Sequence, residues 1–163
     1  MKLIWYYIYK VNWYMKKIIY ILILLIIITI FFKFKGYNNI KLNNENLQKA
    51  ITSIKENEVT LNDVVPFEWE RVYTFKPYTT KEDMESIIGF KSQYISETIN
   101  EGMVQLIFVN DKKIVSNVLN YVDNLGYSID FYDGISVYND NVKFNVKLDN
   151  GILYLKKSIN YKQ

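Results

Sequence analysis

Between Lys17 and Lys33 the chain passes through fifteen residues, Ile18 to Phe32, without a charge, a glycine or a proline. The polar side-chain atoms in this run are the hydroxyls of Tyr20 and Thr29, which a helix satisfies on its own backbone or carries to an interface. At about 1.5 Å per residue the run measures about 22 Å, short of a hydrocarbon core about 30 Å thick. Phe34 and the long stems of Lys17, Lys33 and Lys35 complete the span, or the bilayer thins to meet it. The sequence therefore predicts a transmembrane anchor over residues 15–35, held by Lys16, Lys17, Ile18, Phe32 and Lys33.

A cleaved secretory signal is the competing reading, because Met15-Lys16-Lys17 followed by an Ile/Leu run is how a signal peptide opens. The residues after the run read FFKFKGY, and the chain holds one alanine, Ala50, so the small residues of a cleavage site are missing. An uncleaved anchor is the favoured expectation, and with no cysteine there is no lipid-bearing residue. Residues 1–14 read as an amino-terminal extension, with Met1 and Met15 both open as initiators. Trp5, Tyr6, Tyr7, Tyr9, Trp13 and Tyr14 there suit the headgroup region. Lys16 and Lys17 ahead of the apolar run favour a cytoplasmic amino terminus, which places everything after Lys35 outside the cell membrane as a single-pass protein.

The formal charge of +3 belongs to this anchor, since residues 1–35 carry six lysines and no acid. Residues 36–163 carry 14 Lys plus Arg against 17 Asp plus Glu, and this mildly acidic, interspersed pattern gives no footprint for nucleic acid. About 125 residues make one domain's worth of chain. Zero cysteine removes disulfides, thiol catalysis and thiolate metal sites, and zero histidine removes the commonest general base and transition-metal ligand. Most enzyme classes are pruned by those two absences.

Residues 36–44 read as a polar linker and residues 45–163 as an extracytoplasmic domain. Asn43 or Asn44 is placed to cap a helix whose stripe is Leu47, Ile51 and Ile54. Pro66 divides the next apolar stretch into VTLNDVV and FEWERVYTF. The second alternates strictly, so Phe67, Trp69, Arg71, Tyr73 and Phe75 are expected on one face of a strand. Thr79 and Thr80 stand at capping-box spacing before Glu82 and Asp83, opening a short helix with Met84, Ile87 and Ile88 buried and Gly89 as its stop. MVQLIFV, Met103 to Val109, is a strand. From Lys112 to Leu125 both strand and helix fit, with strand favoured near Ile114. Tyr127, Ile129 and Phe131 alternate before Asp133-Gly134. Val142 to Leu148 alternate before Asp149-Asn150-Gly151, where a type I′ turn sets Leu148 against Leu153 and Val146 against Leu155. The sum is an α+β fold: a transmembrane helix, then a small domain of two or three short helices on an antiparallel sheet.

The segment VPFEWERVYTFKPYTTKEDMESIIGFKS, Val65 to Ser92, resembles a group of uncharacterised small membrane-anchored or secreted proteins of low-GC Gram-positive bacteria. They share Phe-x-Trp-[Asp/Glu]-x-x-Tyr-x-Phe-x-Pro-Tyr-[Thr/Ser] ahead of a short acidic helix. The resemblance continues through EGMVQLIFVNDKK and covers about half the exported domain. It implies exported localisation and a β-rich fold, and it supplies no catalytic residue.

Candidate chemistry is thin. Glu68 and Glu70 flank Trp69 and share a face at i and i+2, which invites sugar cleavage, but alternate glutamates on a strand ordinarily form a solvated face. Arg71 is expected beside Trp69 and Tyr73 in a cation–π contact or buried ion pair. Asp130, Asp133, Asp140 and Asp149 are explained by turn chemistry before calcium. No phosphate loop or nucleophile elbow is present. The chain thus reads as a non-enzymatic, membrane-tethered module without cofactor or metal, binding another envelope or extracellular protein. Its expected surface includes Trp69, Arg71, Tyr73 and Tyr78, since tyrosine supplies rigid amphipathic contact area. The alternatives are an Asp/Glu-dependent cell-wall carbohydrate hydrolase and a small accessory subunit of a membrane complex.

Overall fold

A computed structural model describes residues 2–98, 100–131 and 134–158, with side chains from Trp13 onward. The chain forms two compact units, residues 1–38 and 39–163. Helix α1, Lys2–Thr52, contributes to both. In the first unit every described apolar side chain from Trp13 to Phe34 is exposed, and the apolar window of this helix reaches a mean hydropathy of 2.6 with none of it buried. This is the one helix among the described residues long and apolar enough to cross a membrane.

The second unit is α+β, as expected, but it is built on two four-stranded sheets. After α1 come β1 (Glu58–Thr60), the single-turn α2 (Leu61–Val64), β2 (Arg71–Tyr73) and α3 (Lys81–Ile88). They are followed by β3 (Met103–Asn110), β4 (Lys113–Tyr121), the single-turn α4 (Val122–Leu125), β5 (Tyr127–Asp130) and β6 (Ile135–Val137). A 3-10 turn (Tyr138–Asp140), β7 (Lys143–Asp149) and β8 (Ile152–Lys157) complete the unit. One sheet has the order β1-β7-β8-β5 and the other β4-β3-β2-β6. All pairs are antiparallel except β5 with β8, where Tyr127 to Asp130 run parallel to Leu153 to Lys156.

The main core lies between the sheets. Leu106 and Phe108 of β3, Val72 of β2, Tyr127 and Ile129 of β5, and Phe144 and Leu155 meet there, closed by Leu47 and Ile51 from α1. Alternate residues of β3 serve a second cluster on the outer face of its sheet, where Ile107 and Val109 meet Tyr73, Met84, Ile88, Ile95, Ile114 and Ile40. A strand buried on both faces reads as a continuous apolar run, and MVQLIFV is one. Two amides, the buried Gln105 and the half-buried Asn117, stitch the loop after α3 to this outer face: Gln105 Nε2 donates to Ser96 O at 2.8 Å, and Asn117 Nδ2 donates to Tyr94 O.

Residues 36–44 are not a linker. They continue α1, and Asn43 and Asn44 lie inside the helix instead of capping one. Tertiary contacts override the weak helix propensity of Gly36 and the asparagines. Ile40 is buried in the outer cluster, while Asn43 and Asn44 donate their amides to Val115 O and Asn117 O, each at 2.8 Å. Asn44 Oδ1 also accepts from Asn117 N at 3.1 Å and Ser116 Oγ at 2.7 Å. One turn on, Gln48 Nε2 donates to Leu125 O at 2.9 Å. The helix thus crosses the edge of β4, with Ile40 on one side of that sheet and Leu47 and Ile51 on the other.

The helical turns keep their expected punctuation. Thr80 caps α3 by accepting from Asp83 N at 3.1 Å, and Gly89 ends it in the left-handed region at φ 91°. Met84 and Ile88 are buried, whereas Ile87 is 60% exposed, so the buried stripe of this two-turn helix is narrower than its sequence implied. Residues 113–121 form strand and 122–125 a single helical turn stopped by Gly126, which divides the segment that fitted both patterns. The β7–β8 hairpin has the expected register, Leu148 against Leu153 and Val146 against Leu155, with both Asn150 and Gly151 at positive φ.

Candidate functional site

The segment Val65 to Thr80 holds the motif residues, and β2 occupies only three of them. The alternation through FEWERVYTF therefore does not sort side chains onto one face. Pro66 to Glu70 approach the sheet outside the regular pleat, so Trp69 packs beside Val72 in the inter-sheet core while Tyr73 points into the outer cluster with Phe75. Trp69 is 5% exposed and Tyr73 is 4% exposed, Arg71 is exposed, and Tyr78 is exposed at φ 68°. The four residues expected to form one surface are thus divided among two cores and solvent. Arg71 is neither buried nor in a cation–π contact among the described residues.

Trp69 and Phe67 each meet the Phe108 ring in a T-shaped contact, with centroids 5.7 and 5.4 Å apart. On its other side Trp69 meets Tyr138 at 5.4 Å in the same geometry. Tyr138 comes from the 3-10 turn after β6, and its ring is 45% exposed. Its backbone is fixed from both sides: its N–H donates to Glu70 O at 2.9 Å, and its carbonyl accepts from Asn62 Nδ2 at 2.9 Å. Asn62 also donates to Asn141 Oδ1 at 3.2 Å.

These residues belong to a cleft of about 540 Å³ lined by Asn62, Val65, Pro66, Phe67, Glu68, Trp69, Asn110 and Tyr138. Glu68 is the one ionisable carboxylate or cation among its lining residues. The cleft therefore offers an aromatic face, amide groups and a carboxylate. Glu70 is exposed and does not line it, so the Glu68/Glu70 pair does not meet in the cleft. A second depression contains Glu82 and Glu85, where Glu85 Oε1 already accepts from Ser92 N at 2.8 Å and lies 4.0 Å from Lys81 Nζ.

Among the described residues no group of three acidic side chains could hold a metal ion. Asp130, Asp140 and Asp149 lie in separate elements, and Asp133 lies outside the described residues. In the first unit, Lys16, Lys17, Ile18, Phe32 and Lys33 are exposed along α1, and Lys17 Nζ lies 3.5 Å from the centroid of the Trp13 ring. An aromatic ring and an ammonium stacked so suit an interfacial position.

Sequence reasoning did not single out Asn62, and it reached Tyr138 only as one of eight tyrosines able to contribute to a recognition surface. Tyr138 stands 69 residues from Trp69 and meets it only on folding, and Asn62, seven residues before Trp69, enters the site through its bond to the Tyr138 carbonyl, which no local spacing marks. Pro66, Phe67 and Trp69 were marked by the motif.

No protein-family model, curated protein or solved structure matches this chain.

Proposed function

We propose that this chain is a membrane-tethered, extracytoplasmic binding module without catalytic chemistry, and that the cleft between Trp69 and Tyr138 receives a segment of another envelope or extracellular protein. The observation that carries the reading is the Tyr138 ring. It is half exposed yet fixed by two backbone hydrogen bonds and an edge contact to Trp69, which makes it a rigid amphipathic platform at low entropic cost. The lone Glu68 in the lining supports binding over acid–base cleavage, since glycoside hydrolysis uses a pair of carboxylates on the scissile bond. The helix with its paired lysines ahead of the apolar run supports a single-pass anchor with the amino terminus in the cytoplasm. The motif resemblance also supports an exported domain.

Two measurements test this reading. Lys147→Cys supplies an exposed thiol on β7 in a chain that has no other cysteine. Labelling of intact cells by a membrane-impermeant maleimide is expected, and protection until lysis would refute the orientation. A photo-crosslinking residue placed at Tyr138 is expected to trap a defined partner in intact cells, while the same residue at Lys147 does not. Equal trapping from both positions would refute the cleft as the binding surface.

A further inference from the structure

The cleft has a chemical sign as well as a shape. Within two residues of its lining stand Asp63, Glu68, Glu70, Asp111 and Asp140, against Arg71 and Lys112. Asp111 is offset by Lys113 at 3.5 Å. The remaining charge on these segments is net acidic, and Glu68 is the charged group that lines the cleft itself.

Resting on the reading of this cleft as the binding surface, we infer that its occupant is a basic protein segment, with an arginine or lysine side chain held by the Glu68 carboxylate and the half-exposed Tyr138 ring. The three features act on different parts of one side chain. A cation is attracted to the π-face of an aromatic ring, and Tyr138, which lines the cleft, is 45% exposed. Glu68 supplies a charge-assisted hydrogen-bond acceptor for the head group, of the kind that guanidinium matches best. The apolar stem of the same side chain finds Val65, Pro66 and Phe67 along the wall. An acidic segment meets repulsion from Glu68 and has no cation in the lining to pair with.

The test uses the full-length chain labelled with 5-fluorotryptophan in lipid nanodiscs. The chain has three tryptophans, Trp5, Trp13 and Trp69, and the Trp69 fluorine signal is assigned from Trp5→Phe and Trp13→Phe samples. Two pools of short capped peptides are titrated to millimolar concentration, identical except for a central arginine in one and neutral citrulline in the other. The expected result is movement of the Trp69 signal by the arginine pool, with apparent affinity about tenfold weaker for the citrulline pool. Glu68→Gln, an exposed and isosteric change, is expected to erase the difference between the pools. Equal response to both pools would overturn the basic partner while leaving the cleft as a peptide site. A Trp69 response that keeps its arginine preference in Glu68→Gln would overturn the role of Glu68. Absence of any Trp69 shift with either pool would overturn both the inference and the cleft reading beneath it.

Discussion

Asn44 on α1 pairs with Asn117 on β4 as one strand pairs with another. Its side-chain carbonyl accepts the Asn117 backbone N–H at 3.1 Å, and its side-chain N–H donates to the Asn117 carbonyl at 2.8 Å. A primary amide and a peptide group carry the same donor and acceptor, so a single side chain satisfies both backbone groups that an edge residue leaves open. Ser116 Oγ donates to the same Asn44 oxygen at 2.7 Å.

Asn44→Ala removes three hydrogen bonds and leaves buried partners without replacements, and it is expected to cost about 2–4 kcal/mol. Asn43→Ala loses one bond, to Val115 O, and is expected to cost about 1 kcal/mol. Denaturant unfolding of the full-length chain in detergent, followed by far-UV circular dichroism, measures both. Equal costs would show that the Asn44 pairing does not stabilise the edge.

Tyr127 is fully buried, and its hydroxyl has no hydrogen-bond partner among the described residues. Removing an unsatisfied buried polar group recovers its desolvation cost, so Tyr127→Phe is expected to stabilise the domain by about 1 kcal/mol. Burial also raises the hydroxyl's pKa above its usual value near 10. The unfolded chain therefore releases this proton first as pH rises, so the unfolded state binds fewer protons and stability falls above pH 10. The contribution is fully present below pH 10. Thermal melts between pH 8 and about 11 are expected to show a shallower alkaline decline in Tyr127→Phe than in the parent chain.

Asn150 and Gly151 are the central residues of the β7–β8 turn, at φ 49° and 81°. A methyl group at position 151 would meet no heavy atom within 4 Å, so the cost of Gly151→Ala is the left-handed backbone alone. That cost is expected at about 1–2 kcal/mol. Asn150→Gly retains the turn and is expected to lie within about 0.5 kcal/mol of the parent. Comparison of the two melting temperatures checks the difference.

Phe108 is fully buried and makes T-shaped contacts with Phe67 and Trp69, so Phe108→Ala is expected to cost about 3–5 kcal/mol and to loosen the cleft wall. Tyr138→Ala removes a half-exposed ring and is expected to cost about 1 kcal/mol or less while abolishing partner capture. Unfolding midpoints set beside crosslinking yields separate the structural residue from the recognition residue.

Local features were legible in the sequence. The Asn150-Gly151 turn fixes its own register, because two left-handed residues admit one hairpin geometry and the apolar residues then agree on a face. The Thr80 cap and Gly89 stop lie within one short helix and were read from spacing alone. The aromatic alternation from Phe67 to Phe75 misled because a period of two holds only where the chain is strand, and the pleat covers just Arg71 to Tyr73. The role of Asn43 and Asn44 was hidden for another reason. Their partners lie 72 or 73 residues away, and polar residues between an apolar helix and a domain look the same whether they face water or a sheet edge. The cleft was half visible, since the motif supplied Phe67 and Trp69 while Tyr138 arrived from a distant turn.

Of the strands at the borders of the two sheets, β1 and β6 have three residues and β5 has four, whereas β4 has nine. Short borders offer a neighbouring chain little to pair with, but nine open residues are enough to seed a ladder between molecules. The longest border is the one that α1 lies across, so the strand with the most backbone to offer a second chain has Asn43 and Asn44 already bonded to its edge.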